Sequence, residues 1–525
     1  SEGYSLAGST ANRIAVDPTT GYWSLPTITI DGTTVNNKPY REKTYDHFDQ
    51  LLKNSMTYKH SVNIAGASGK SDYSISLSNT YQEGTMQGDY KRTNLSINVG
   101  TEIIKNLKIR STTRIVTSSN STGGVFGENN VYSGLGFAVK SLPFVDLTYK
   151  NDRGHYAVTY DDTDNSINPF YTSQFKDVEN KVFRVIQGFD VSYNVTSFLE
   201  LNYKYGIDES RVNYNEYVKN QSITATPTKG IPNLNGQLLH DTYKETIQNS
   251  LISAFLRLDF QKDFNLNLPL HSTTQFAYDW RERKYNNVWY QATGLPTEPP
   301  INMGTGEAYA NDQSQIEFIT FGYLINQKFD YKNLFGFSGG FRADYSSAFG
   351  KGSDPFYFPR GDAYFRFSEI IKSPVVQEMK LRAAYGEAGI QPGAYDRFIT
   401  LGSENIGGKN LFHLLTTSRN PALDVEVSKE FEIGLDYAFN TGMKSWLTRI
   451  MGSATYWDRT TDGAIRQVDV APSTGAFAIV TNSLDLSSHG VQLSLDADIF
   501  TSKNFDWQFG TRFGLQRSKV DKISN

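Results

Sequence analysis

Seven histidines, at positions 47, 60, 155, 240, 271, 413 and 489, are the side chains best suited to metal or proton chemistry, and they are scattered. None forms H-E-x-x-H or an i, i+4 pair, the spacings that aim two imidazoles at one ion from a helix face. Cysteine is absent, which removes thiolate nucleophiles, disulfides and thiolate-bound metal together. No G-x-S-x-G, Walker loop or dinucleotide fingerprint occurs. "YDDTDNS" gathers Asp161, Asp162, Asp164 and Asn165, hard oxygen donors of the kind Ca²⁺ takes, but not at the spacing of a defined calcium loop. A solvated loop tip is the plainer account. No catalytic residue, cofactor or metal ligand is assigned, and the chain is not expected to be an enzyme.

Two other groups could handle a solute without transforming it. "GHYAVTYDD" and "NPFYTSQF" carry Tyr156, Tyr160, Phe170 and Tyr171, and "NNVWYQATG" carries Trp289 and Tyr290, all in stretches that read as loops. Rings with a polar handle suit a sugar face or a peptide at a pocket mouth. These six are candidate contacts to a ligand or to a covering partner, with packing inside the loops as the alternative. Arg342, Asp344, Arg360, Asp362 and Arg366 alternate with apolar neighbours and could line a wet lumen as a charge ladder, paired structurally or meeting a solute.

The elements that must position these residues alternate in the same way. In "SDYSISLSNTYQEG", Tyr73, Ile75, Leu77 and Tyr81 share one parity, and Ser74, Ser76, Ser78 and Thr80 share the other. A strand sends alternate side chains to opposite faces, so one face is greasy and the other hydroxyl-rich. The unit recurs in "RVIQGFDVSY", "FLELNYKYGID", "FGFSGGFRADY", "EFEIGLDYAF" and "FDWQFGTRFGLQ", about sixteen times by the same criterion. Mean hydropathy is −0.46 and no eighteen-residue apolar run exists, which excludes a conventional transmembrane helix. A β-barrel is not excluded, because alternation halves the local hydrophobicity. Aromatics reach 14%, and net charge is −4 without a long basic run, so no footprint for nucleic acid is present.

The gaps between strands alternate short and long. Short ones include "ASGKS", "EIIKN", "YNVTS", "DYKNL" and "TSKNF"; long ones run over 118–179, 211–244, 285–313, 389–426 and 461–484, with brief exceptions near Gly84 and Gly350. Tight turns at one end and long loops at the other mark an outer-membrane barrel, lipid outside and polar lumen inside. Tyr73, Tyr205, Phe341, Phe431 and Trp507 should then share the lipid face, and Ser76, Asn202, Arg342 and Glu432 the lumen face. The first clear strand, from Thr57, runs into a tight turn, so residues 1–56 are expected to be an extracellular segment after a missing outward strand. Residues 57–525 form the barrel domain, with the wall expected to be open between its first and last strands.

The stretches "KHSVNIAGASGKSDYSISLSNTYQEG", "YKRTNLSINVGTEIIKNLKIR", "FRADYSSAFGKGSDPFYFPRGDAYFRFSE", "MKLRAAYGEAGIQ" and "HGVQLSLDADIF" resemble the SusC/RagA-like TonB-dependent transporters of Bacteroidota outer membranes. "FRADYSSAFG" followed by "FPRGDAYFRFSE" is the most specific of them. The resemblance implies an all-β transmembrane antiparallel barrel of 22 strands, of which about sixteen are here, with a plugged lumen. It implies import of oligosaccharides or oligopeptides under a SusD-like surface lipoprotein lid, energised by TonB through a plug or TonB box that this chain does not carry. A dimer of barrel–lid units is a further implication. The alternative is a SusC-like barrel acting as a scaffold subunit in a larger outer-membrane assembly.

Overall fold

A computed structural model describes residues 45–122, 146–150, 154–156, 168–222, 234–350, 353–407 and 409–523, with the backbone of five short strands between residues 15 and 41. Among the described residues, sixteen long strands carry the fold. They are β1 Thr57–Ser68, β2 Ser71–Glu83, β3 Asp89–Ile104, β4 Leu107–Thr122, β5 Lys176–Asn194, β6 Leu199–Val218, β7 Gln237–Asp259 and β8 Leu270–Thr293. There follow β9 Ala308–Tyr331, β10 Phe335–Ser346, β11 Phe356–Arg366, β12 Val376–Ile390, β13 Glu426–Asn440, β14 Trp446–Asp469, β15 Ala478–Thr501 and β16 Asp506–Ile523.

Each strand pairs antiparallel with its predecessor in this series, giving one up-and-down wall ordered as a barrel. No register joins β1 to β16, and both are exposed along almost their whole length, so the barrel is not closed between them. The open wall matches the expectation from strand direction.

Local chemistry sets the tight end. Between β9 and β10, Lys332 and Asn333 both take positive φ, at 50° and 56°, and the Leu334 N–H donates to the Tyr331 carbonyl at 2.8 Å. That is the mirror-image two-residue turn whose twist matches a hairpin. Gly69, at φ 57°, serves the β1–β2 turn.

At the other end the strands run further than hydropathy suggests. The gaps expected at 211–244, 285–313 and 461–484 are largely paired: β6 and β7 reach Val218 and Gln237, β8 and β9 reach Thr293 and Ala308, and β14 and β15 reach Asp469 and Ala478. Five strands thereby reach 23 or 24 residues, against the roughly ten that a tilted strand needs to cross a bilayer.

The registers carry one parity around the whole wall. Tyr73 faces Val99, Phe189 faces Tyr205, Ile252 faces Tyr278, Ile325 faces Phe341, Tyr385 faces Phe431, and Leu493 faces Phe513. Tyr73, Tyr205, Phe341, Phe431 and Trp507 all fall on this apolar face, whereas Ser76, Asn202, Arg342 and Glu432 fall on the other. A one-residue slip anywhere would have scrambled the two sets. Aromatics cluster at two levels of the apolar face. Trp446, Phe500 and Phe505 adjoin near the tight turns, and Tyr278, Phe321, Tyr323 and Tyr345 adjoin about ten residues higher. These are the two girdles of a membrane barrel. Fully buried apolar residues, by contrast, sit at the loop end: Leu147, Leu295 and Leu423.

Candidate functional site: the polar face and the loop end

The polar face is laced with charge. Arg342 bridges Asp344 on its own strand and Asp279 two strands away at 3.1 Å, and Arg281 reaches the same Asp279. Arg382 lies between Asp436 at 3.3 Å and Glu432 at 3.8 Å and donates to the Thr455 hydroxyl at 2.6 Å. Arg110 pairs with Asp72 at 2.8 Å, Lys204 with Asp190 at 3.1 Å, Arg449 with Asp498 at 3.0 Å and Arg512 with Asp496 at 2.6 Å. Arg184 with Asp208, Arg257 with Glu200 and Arg459 with Glu430 complete the pattern. A lysine or arginine at mid-span on the lipid side would cost about 2–4 kcal/mol, and a carboxylate somewhat less. Their collection on one parity therefore fixes which face meets water.

Glycines make room for these long side chains to lie flat. A Cβ on Gly434 would sit 2.6 Å from the Arg382 guanidinium carbon, and one on Gly100 would meet the Arg110 guanidinium at 2.5 Å. Glycine inside a strand commonly marks such a close approach.

Of the expected ladder, Arg342, Asp344, Arg360, Asp362 and Arg366 all fall on the polar parity of β10 and β11. They do not pair as one ladder. Arg342 and Asp344 pair with each other, Asp362 accepts from the Ser338 hydroxyl, and Arg366 reaches Glu378 at 3.0 Å. Arg360 is exposed and has no ion pair among the described residues.

At the loop end a short helix, Pro169–Phe175, begins at Asn168, whose side chain accepts from the Phe170 N–H. Asn168 is itself fully buried and donates to the Leu147 carbonyl at 2.9 Å. Asn followed by Pro is a helix-start signal visible in the sequence. Tyr171 is 2% exposed, packs on Phe175 and donates its hydroxyl to Gln221 at 2.6 Å. Burial pushes the Tyr171 phenol up, so it stays a donor. Gln87 reaches Ser173 at 3.0 Å, tying the helix to the β2–β3 hairpin as well. Tyr156 stacks near Phe170 and lies under the Lys150 ammonium, 4.6 Å from its ring centre.

The aromatic candidates thus separate. Tyr171 is spent on packing, Phe170 and Tyr156 sit beside that core, and Tyr160 lies outside the described residues. Trp289 and Tyr290 are not in a loop but inside β8, where Trp289 faces Asp241 and Tyr290 faces His240. Adjacent strand residues point oppositely, so Trp289 takes the parity of the polar face and Tyr290 that of the outward face. The two cannot serve one pocket mouth together.

A feature that hydropathy missed projects from the same end. Leu401–Ile406 and Lys409–Leu414 form a hairpin whose Leu401, Phe412 and Leu414 share one face, Phe412 being 73% exposed.

Residues 133–525 match the family described as TonB dependent receptor-like, beta-barrel. TonB-dependent receptor P26 of Formosa agariphila is 23% identical over 512 residues, covering 92% of this chain and 48% of that protein. TonB-dependent receptor SusC of Bacteroides thetaiotaomicron is 22% identical over 514 residues, covering 91% and 48%. The chain spans about half the length of the curated relatives it matches. Among solved structures, the RagAB peptide transporter superposes with a TM-score of 0.79 at 18% identity, over 92% of this chain and 53% of that one. The outer membrane transporter YddB from Escherichia coli gives 0.56 at 10% identity, over 89% and 55%. The sheet order, the two girdles and the match over most of the sequence converge: the chain belongs to the TonB dependent receptor-like β-barrel family and forms an outer-membrane barrel wall.

Proposed function

We propose that this chain is the wall of an outer-membrane importer for oligosaccharides or oligopeptides, driven through TonB and capped by a SusD-like surface lipoprotein. The observation that carries the proposal is the charged polar face, which recurs from strand to strand while the opposite parity is apolar. A hydroxyl-rich or charged solute cannot cross the lipid side cheaply, so passage runs along the polar face, past Arg342, Asp344, Arg360, Asp362 and Arg366. Similarity to SusC and to the RagAB peptide importer supports transport. The unpaired edges of β1 and β16 are completed by further strands, because lipid leaves no solvent for open backbone groups. Residues 45–56 lie on the loop side: Gln50 reaches Asp146 at 2.8 Å, and Lys53 reaches Glu83, the loop-end residue of β2, at 2.6 Å.

The exposed apolar face of the 401–414 hairpin is the docking point for the lid. Replacing residues 401–414 by a short Gly–Ser linker in the full-length protein tests this. Co-purification of the lipoprotein and solute uptake should both fall while the barrel keeps its heat-modifiable mobility. Unchanged lid binding would remove the partner assignment, and lid binding without uptake in the unaltered protein would favour the scaffold role. Deleting 156–171 is a poorer test, since it removes Tyr171 from the packed loop core.

A further inference from the structure

The outward parity carries a row of cations at the level where its apolar stripe ends. Tyr81 faces Lys91, Lys91 faces Ser119, Ser119 faces Lys181, and Lys181 faces Asn213, across four successive strand pairs. One step nearer the tight turns, Thr117 faces Phe183, Phe183 faces Arg211, and Arg211 faces Lys244. Arg211 and Lys244 are directly opposed, with Cβ atoms about 5 Å apart, and like charges so placed repel; Lys91 and Lys181 flank Ser119 two strands apart. The arrangement asks for an anion.

The acids on this face fill it in part: Glu209, opposite Val185, pairs with Lys244 at 3.0 Å, which leaves Arg211 as the unmatched cation of that couple. Asp89 meets Lys91 at 2.7 Å and Glu179 meets Lys181 at 2.7 Å, each from two residues further towards the loops on the same strand. Exposed pairs of this kind contribute little. Both lysine side chains stay 61% and 55% exposed, with the Lys91 ammonium 5.7 Å from the Tyr81 ring centre. Arg211 is exposed and has no ion pair among the described residues. Lys91, Thr117, Ser119, Lys181, Phe183 and Asn213 line a groove of about 380 Å³. Its floor continues downward into Leu95, Ile115 and Val185 on the lipid stripe.

We infer that this groove binds the phosphorylated headgroup of an outer-leaflet lipid. The phosphate bridges Lys91 and Lys181, the Ser119 and Thr117 hydroxyls donate to it, and Arg211 flanks it. The acyl chains run down over Phe183, Val185 and Ile115. Seven of its ten lining residues have the outward parity, against Arg92, Ser118 and Val182 on the other, which favours a membrane lipid over a transported solute.

The test uses the full-length protein in phosphatidylcholine nanodiscs carrying a small fraction of bisphosphorylated lipid A, with bound lipid read by native mass spectrometry. Phosphatase-treated lipid A is the second arm, and inorganic phosphate the competitor. Lys91→Gln and Lys181→Gln should each weaken retention by about fivefold, Lys181→Arg should restore it, and Lys105→Gln, at the opposite end of the wall, should change nothing. Equal binding of the dephosphorylated lipid, or unchanged retention in both glutamine variants, overturns the assignment. Complete displacement by millimolar phosphate would also overturn it, as a soluble-anion site.

Discussion

Along β9 the outward side chains are Phe329, Gln327, Ile325, Tyr323 and Phe321 in the half nearest the tight turn, then Ile319, Glu317, Gln315, Gln313 and Asn311 towards the loops. The hydrogen-bonded ladder to β8 is unbroken across both halves. β5 repeats the contrast, with Tyr193, Val191, Phe189, Gln187, Val185 and Phe183 below and Lys181, Glu179 and Asp177 above. Backbone pairing is the same in the two regions, so the change of side chains reports a change of solvent. In the lower region the parity separates lipid from water. In the upper region water lies on both sides and the separation disappears.

Placing one charge in each region is the strongest way to break that contrast. Ile325→Arg should lower unfolding free energy in liposomes by about 2–4 kcal/mol. Gln315→Arg, on the same strand and parity, should stay within about 0.5 kcal/mol. Equal losses would erase the boundary. On the polar face the contrast is gentler. Arg342→Ala takes a cation from Asp279, which is 6% exposed but keeps Arg281, and should cost about 1–2 kcal/mol. Arg360→Ala, with no ion pair to lose, should be close to neutral under the same assay. Smallest is a local effect in the loop core: Tyr171→Phe removes a donor to Gln221 and should weaken amide-exchange protection of Pro169–Phe175 by about 1 kcal/mol. Because burial raises the Tyr171 phenol above its unfolded value, its contribution is intact below about pH 10 and declines as pH climbs beyond it. Protection of that helix should follow the same course while the wall is unaffected.

The two halves also explain what the sequence could and could not reveal. Period-two alternation in "SDYSISLSNTYQEG" and its repeats is legible because lipid and water demand different side chains, and it yields the parity, the strand number and the tight end. Above the girdle that demand lapses, so stretches such as 285–293 read as loop although their backbone pairs on both sides. Neighbourhood in the sequence therefore groups Trp289 with Tyr290, whereas strand geometry sends them to opposite faces. The loop anchor at Pro169–Phe175 depends on partners at Leu147, Gln87 and Gln221, distant contacts that no local pattern encodes. Only its Asn168–Pro169 start was available to a reader of the sequence.

The central claim is that one outward parity crosses from lipid to water partway up each strand. The absence of cysteine lets single introduced cysteines carry spin labels without background. Labels at positions 329, 325, 323, 315, 313 and 311 of β9, in bilayers, would report collisions with oxygen against those with a water-soluble nickel chelate. The account predicts high oxygen and low nickel access at 329, 325 and 323, reversed at 315, 313 and 311. A uniform ratio along all six positions would contradict it.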